Sequence, residues 1–202
     1  DGLIIVGSIT AAEALSEIGG TTPLVLIGHH MPDMQAFDTV NNNDRESGRL
    51  VVKHLVDRGC RKISMIGLDT RNGSVIEQRE LGYAEAMQSA GLKKYVEIIR
   101  VRENLRDIQV AAQRLLASAG RDAIFCWTDY VALEVLSVAG TSGLSVPDQV
   151  AVVGHDNTLY CAFDQNSLTS VDQSGEQLGL QATRLLVERI EGRTKAEHFY
   201  VQ

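Results

Sequence analysis

The order of apolar segments predicts an α/β fold, in which parallel strands are covered by helices. Three observations carry this. Short β-branched runs alternate with longer segments of helical period. Most of those runs are apolar throughout, as strands buried on both faces must be. At 202 residues, 44% hydrophobic and 22% charged, the chain can bury a sizeable core and is neither disordered nor fibrous in composition.

Taken in order, residues 3–6 and 24–27 read as the first two strands. A helix over 46–58 is closed by Gly59 and precedes a strand at 62–66. A second helix over 76–90, closed by Gly91, leads to a strand at 96–99. Ile108, Ala111, Ala112, Leu115 and Leu116 form one stripe of an amphipathic helix, followed by Gly120 as its stop and a strand at 123–126. A helix over 130–142 ends at Gly143, and strands follow at 150–153 and 167–171. Leu178, Ala182, Leu185, Leu186 and Ile190 mark a last helix ending at Gly192. With no internal repeat, low-complexity tract or Pro-rich linker, any two lobes are joined by short crossings.

Charge and cysteine content narrow the function. Lys plus Arg is 19 against Asp plus Glu 26, a net charge of −7, opposite to the basic footprint that phosphate neutralisation requires. This stretch is a poor nucleic-acid binder by itself. No apolar run approaches the roughly 18 residues needed to span a bilayer. Cys60, Cys126 and Cys161 lack the spacing of a disulfide framework or a zinc site, which suits free thiols in a reducing cytoplasm. The opening Asp1-Gly2-Leu3-Ile4 carries neither an initiator Met nor a signal-peptide progression and reads as a fragment.

Ligands of open parallel sheets bind beyond the carboxyl ends of the strands. Here those ends read Gly28-His29-His30, Gly67 to Asn72, Trp127-Thr128-Asp129 and Gly154-His155-Asp156-Asn157. Carboxylates accept from hydroxyls, a guanidinium donates a fork of hydrogen bonds and an aromatic face packs on sugar C–H groups, so the mixture suits a neutral, hydroxyl-rich small molecule. The competing explanation is that turns and helix N-caps collect Gly, Asp and Asn in any case. Nucleophile-elbow, phosphate-loop, dinucleotide and His-Glu-x-x-His motifs are all missing, which disfavours an enzyme. His29 and His30, adjacent on an extended segment, point to opposite sides and do not share a metal.

Four stretches resemble the effector-binding core of the lactose/galactose repressor (LacI/GalR) family of bacterial transcription regulators. They are Val40 to Gly48 with His54 to Ile63, the Arg79-Glu80-Leu81-Gly82-Tyr83 segment, Gly143 to Asn157, and Leu168-Thr169-Ser170-Val171-Asp172-Gln173. The resemblance implies a type I periplasmic-binding-protein-like fold of two Rossmann-like lobes with an effector in the cleft between them. It places residues 1–43 and 172–195 in an N-terminal lobe, and 44–171 and 196–202 in a C-terminal lobe. The N-terminal lobe is expected to be incomplete, because the family's helix-turn-helix and first two strand–helix units have no counterpart. The natural protein is accordingly expected to extend beyond both ends.

Carried over position by position, the resemblance assigns effector contacts to Arg79 and Asp156, to Arg71 in a loop, to Phe125, Trp127 and Asp129 around one strand end, and to Gln173 and His29 on the opposite lobe. Gly28 and Thr128 depart from the Asp and Asn that many members carry there, so an acceptor and an amide are lost. The implied function is a cytoplasmic, homodimeric repressor core that senses a sugar or sugar derivative, with a nucleoside or purine as the second choice, without metal, cofactor or membrane contact. Operator DNA would be bound through a helix-turn-helix outside this chain. Two rivals stay open: a periplasmic sugar-binding protein of a transporter, and a small-molecule enzyme using Asp129 or His155.

Overall fold

The computed structural model describes residues 1–7, 12–28, 37–69 and 75–201. Its elements in chain order begin with β1 (Leu3–Val6), α1 (Ala12–Gly19), β2 (Leu24–Ile27), β3 (Asp38–Asn42), α2 (Asp44–Asp57), β4 (Ile63–Leu68), α3 (Val75–Ser89) and β5 (Glu97–Val101). They continue with α4 (Leu105–Leu116), β6 (Ala123–Cys126), α5 (Asp129–Thr141), β7 (Ala151–Asp156), β8 (Thr169–Asp172), α6 (Gly175–Ile190) and β9 (His198–Val201). Contacts divide the chain into two compact units, Asp1–Asn43 with Gly73–Val75 and Ser174–Gln202, and Asp44–Asn72 with Ile76–Gln173. Each is a parallel sheet with helices against it, the type I periplasmic-binding-protein-like architecture.

In the first unit the strand order is β1-β2-β3-β9, every neighbouring pair parallel. β2 is buried on both faces. Val25 joins Val40, Val201 and the Leu178–Ala182–Leu185 stripe of α6, whereas Leu24 and Leu26 pack with Leu15 of α1. Burying each such Leu or Val contributes roughly 1.5–3 kcal/mol. α6 exists because its apolar residues recur at helical spacing and meet this sheet.

Two expectations need correction here. Residues 196–202 were assigned to the C-terminal lobe, but β9 pairs with β3 in the first unit, Thr39 opposite His198 and Asn42 opposite Val201. The cause is Asp38, wholly buried at the head of β3. Its carboxylate accepts from Arg189 Nε at 2.6 Å, from Arg193 Nη1 and Nη2 at 2.9 Å each, and from the Glu197 N–H at 2.6 Å. The end of α6 and the start of β9 are thereby tied to β3. Burial pushes the Asp38 carboxyl up, but Arg193, Arg189 and the Glu197 amide outweigh it and hold the group below its ordinary range. The second correction concerns residues 172 and 173, placed with the N-terminal lobe. Asp172 closes β8 opposite Asp156 of β7, which keeps both residues in the second unit.

The second unit orders its strands β5-β4-β6-β7-β8. From β4 the chain moves outward to β5, then returns past β4 to build β6, β7 and β8 on the other side. Strand order therefore reverses between β4 and β6, and the crevice at their carboxyl ends is where such a sheet can take a ligand. α2 and α3 cross at closest approach through two glycines. A Cβ on Gly48 would overlap the Arg79 carbonyl, and one on Gly82 the Arg45 carbonyl. Tyr83, fully buried, fastens α3 to the sheet, its hydroxyl donating to Ile63 O at 2.7 Å and accepting from the Glu97 N–H at 3.1 Å. Burial pushes that phenol up to about 12.

Candidate functional site at the carboxyl ends of the second sheet

Arg79 lies on α3, the helix that follows β4, and Trp127 follows β6, so the two border the point where strand order reverses. Only 4% of Arg79 is exposed. Its Nε donates to Asp44 Oδ1 at 2.7 Å and its Nη1 to the Trp127 carbonyl at 2.6 Å. Asp44 opens α2, where a carboxylate is favoured by the helix dipole, and its side chain is 1% exposed. A buried guanidinium needs such a partner, since an unpaired charge here would carry a desolvation cost of several kcal/mol. Among the described residues Nη2 of Arg79 has no partner, which leaves that edge of the fork for an acceptor on a ligand.

A second cluster forms at the tip of β7. Gln173 Nε2 donates to Asp156 Oδ1, and His155 Nδ1 lies 3.1 Å from the same oxygen. Asn157 donates to Asp172 Oδ2 at 3.1 Å. The backbone turns sharply here, with φ +118° at Asp156 and +50° at Asn157. Left-handed backbone at non-glycine residues costs on the order of 1–3 kcal/mol where it is strained, and such positions gather at ligand sites. His155 is fully buried and its Nε2 has no hydrogen-bond partner among the described residues. Burial lowers its pKa; Asp156 opposes this and the nearby Arg79 charge adds to it.

Asp129 and Phe125 are not placed as ligand contacts. Asp129 is wholly buried, and its carboxylate accepts from the Thr158 N–H at 2.7 Å, Cys161 Sγ at 3.0 Å and Ser170 Oγ at 2.5 Å. Both oxygens are thus occupied in holding the segment after β7 and strand β8. Gly154 is required beneath it, because a Cβ there would collide with Asp129 Oδ1. Phe125, in the middle of the sheet and wholly buried, is core. Gln173 sits on the same unit as Asp156 rather than opposite it.

Arg71 and His29 lie outside the described residues. The structure therefore brings together Arg79, the Trp127 backbone, Asp156 and Gln173 within one unit, and adds two groups that sequence reasoning did not assign to the ligand site, Asp44 and His155. Asp44 carried one visible signal, an acidic residue at a helix start, but nothing in the chain links it to a partner 35 positions away. Among the described residues no group of three or more His, Cys, Asp or Glu is placed to hold a metal ion.

Residues 52–202 match the family described as periplasmic binding protein-like domain. The chain is 28% identical over 200 residues to the HTH-type transcriptional repressor PurR of Pasteurella multocida, covering 96% of this chain and 59% of that protein. It thus spans about six tenths of the length of that curated relative. A LacI transcriptional regulator from a Rhodococcus species superposes with a TM-score of 0.88 at 22% identity, over 98% of this chain and 73% of that one. A complex of the transcriptional regulator CelR with cellobiose gives a TM-score of 0.84 at 28% identity, over 100% of this chain and 63% of that one.

Proposed function

We propose that this chain, which belongs to the periplasmic binding protein-like domain family with LacI-family regulators as relatives, is the effector-binding core of a bacterial transcriptional repressor that senses a sugar or sugar derivative. The observation that carries the reading is that Arg79, bonded to the Trp127 carbonyl beside the reversal point, and the Asp156–Gln173 pair after β7 and β8 all lie at the carboxyl end of the second sheet. These groups offer a guanidinium edge, a carboxylate and an amide, a set that exchanges hydrogen bonds with hydroxyls. The cellobiose held by CelR supports the same class of ligand. The chemistry belongs to binding, in keeping with a relative that is a transcriptional repressor.

A ligand held this way biases a regulator only through its differential affinity for two conformations. The natural, longer protein would transmit that bias to operator DNA through a helix-turn-helix outside this chain, in the cytoplasm. The test is a thermal-shift and calorimetric screen of that protein against cellobiose, ribose, sugar phosphates and nucleosides. A ligand present at 100 times its Kd raises stability by about 2.7 kcal/mol. The expected result is a clear upward shift with one sugar and none with Asp156→Ala. No shift with any sugar, or an unchanged shift in Asp156→Ala, would remove the site.

The second unit also presents Tyr130, Leu159, Tyr160 and Phe163 to solvent, Leu159 at 67% exposure. Tyr160 and Phe163 stack edge to face with centroids 5.8 Å apart. Neighbouring exposed aromatics of this kind fit a contact with a second copy. Tyr160→Glu would bury a charge in that contact. Sedimentation equilibrium of the longer protein is expected to show a dimer for the wild type and a shift to monomer for the variant; equal masses would rule this contact out.

A further inference from the structure

His155 is the buried polar group that the hydrogen bonds of the site leave incomplete. Its ring is wholly buried at the penultimate position of β7, and Nε2 has neither a partner among the described residues nor contact with solvent. Its other nitrogen fixes the tautomer. An ionised carboxylate can only accept, and Asp156 Oδ1 lies 3.1 Å from Nδ1, so the imidazole proton sits on Nδ1. Nε2 is then a lone pair enclosed without a donor. A buried acceptor in that condition carries its full desolvation penalty, and native structures leave few such groups unsatisfied. The charged groups around the ring are Asp156 on its own strand, Arg79 on α3 and Asp44 on α2. Arg79 and Asp156 are the two residues on which the proposed site rests.

We propose that His155 is a specificity-determining residue of this site, whose Nε2 accepts a hydrogen bond from a hydroxyl or N–H of the effector. The proposal rests on the reading of Arg79 and Asp156 as the effector site, and adds to it a demand on the ligand. The molecule must bring a donor to this position, so an ether or a carbonyl there is rejected. Burial and the Arg79 charge keep the ring neutral, which preserves the lone pair in the neutral pH range.

The experiment follows the imidazole nitrogens of the longer, effector-responsive protein by 15N NMR, with His155 assigned from its loss in His155→Phe. Cellobiose and ribose are the probes. In the free protein Nδ1 is expected to carry the proton and Nε2 to show the shift of a bare lone pair. On binding of a probe, Nε2 is expected to move towards a hydrogen-bonded value. His155→Phe is expected to weaken that probe about tenfold, and His155→Gln, which keeps an acceptor oxygen, to recover most of the loss. A proton found on Nε2 in the free protein overturns the proposal. So does a probe whose binding is abolished by Asp156→Ala but leaves Nε2 and the His155→Phe affinity unchanged; in that case the site stands and only the role of His155 falls. If neither sugar binds, the sugar site itself fails and the proposal falls with it.

Discussion

Asp38→Ala destabilises the first unit by about 3 kcal/mol, because it removes the carboxylate shared by two guanidinium groups that are mostly withdrawn from water, leaving Glu188 to Arg193 and the Thr194 carbonyl to Arg189. Arg189 and Arg193 are each 17% exposed, and Asp38 is the carboxylate that both share. The Glu197 amide loses its acceptor in the same step, so β9 is released from β3 together with the end of α6. Urea unfolding of the wild type and the variant, followed by far-ultraviolet circular dichroism, checks this; a midpoint within error of the wild type would contradict it. The pH dependence has a fixed sign. The folded pKa of Asp38 is lowered from an ordinary 3.8, so its contribution is fully present above that value and is lost as pH falls through the lower folded one. Acid sensitivity below about pH 4 should therefore be smaller in Asp38→Ala than in the wild type.

Arg79→Ala has the second large effect, and on two quantities that can be separated. Removing the guanidinium takes its paired cation from the Asp44 carboxylate, whose side chain is 1% exposed, and costs about 3 kcal/mol of stability. It also removes the edge proposed to grip the effector. Neutralising both partners separates the two losses. In Arg79→Met with Asp44→Asn neither charge of this pair remains, and most of the stability should return while effector binding stays absent. Calorimetry and thermal melting of the single and double variants give the answer. Binding at wild-type affinity in the stable double variant would show that Arg79 serves the fold and not the ligand.

Elements that carry their own apolar code were legible. The runs at Leu24–Ile27 and Ala123–Cys126 are strands at those bounds, since each is buried among apolar neighbours, and the stripe from Ile108 to Leu115 faces the core of the second unit. β3 was not legible as a strand. Asp38-Thr39-Val40-Asn41-Asn42 holds a single apolar residue, and its place in the sheet depends on Arg189, Arg193 and β9, more than 150 positions away. α1 runs for only eight residues, too few for a helical stripe to stand out in the sequence. β9 was put in the other lobe because nothing local in His198-Phe199-Tyr200-Val201 names its partner strand.

The site divides in the same way. Arg79, Asp156 and Gln173 were identified through motif resemblance, and hydrogen bonds join two of them directly. What a one-dimensional reading could not separate was a carboxylate facing a ligand from one holding a loop. Asp129 and Asp156 both follow apolar strands, yet only Asp129 has both oxygens engaged by Thr158, Cys161 and Ser170. Asp44 meets Arg79 across 35 positions, a relation that spacing along the chain does not record.

The most direct test is a crystal structure of the longer protein with the sugar that the thermal screen selects. The account predicts ligand hydroxyls within hydrogen-bond distance of the Arg79 guanidinium and the Asp156 carboxylate at the ends of β4, β6 and β7. A sugar bound elsewhere, with Arg79 held only by Asp44 and Trp127 and Asp156 only by Gln173 and His155, would contradict it.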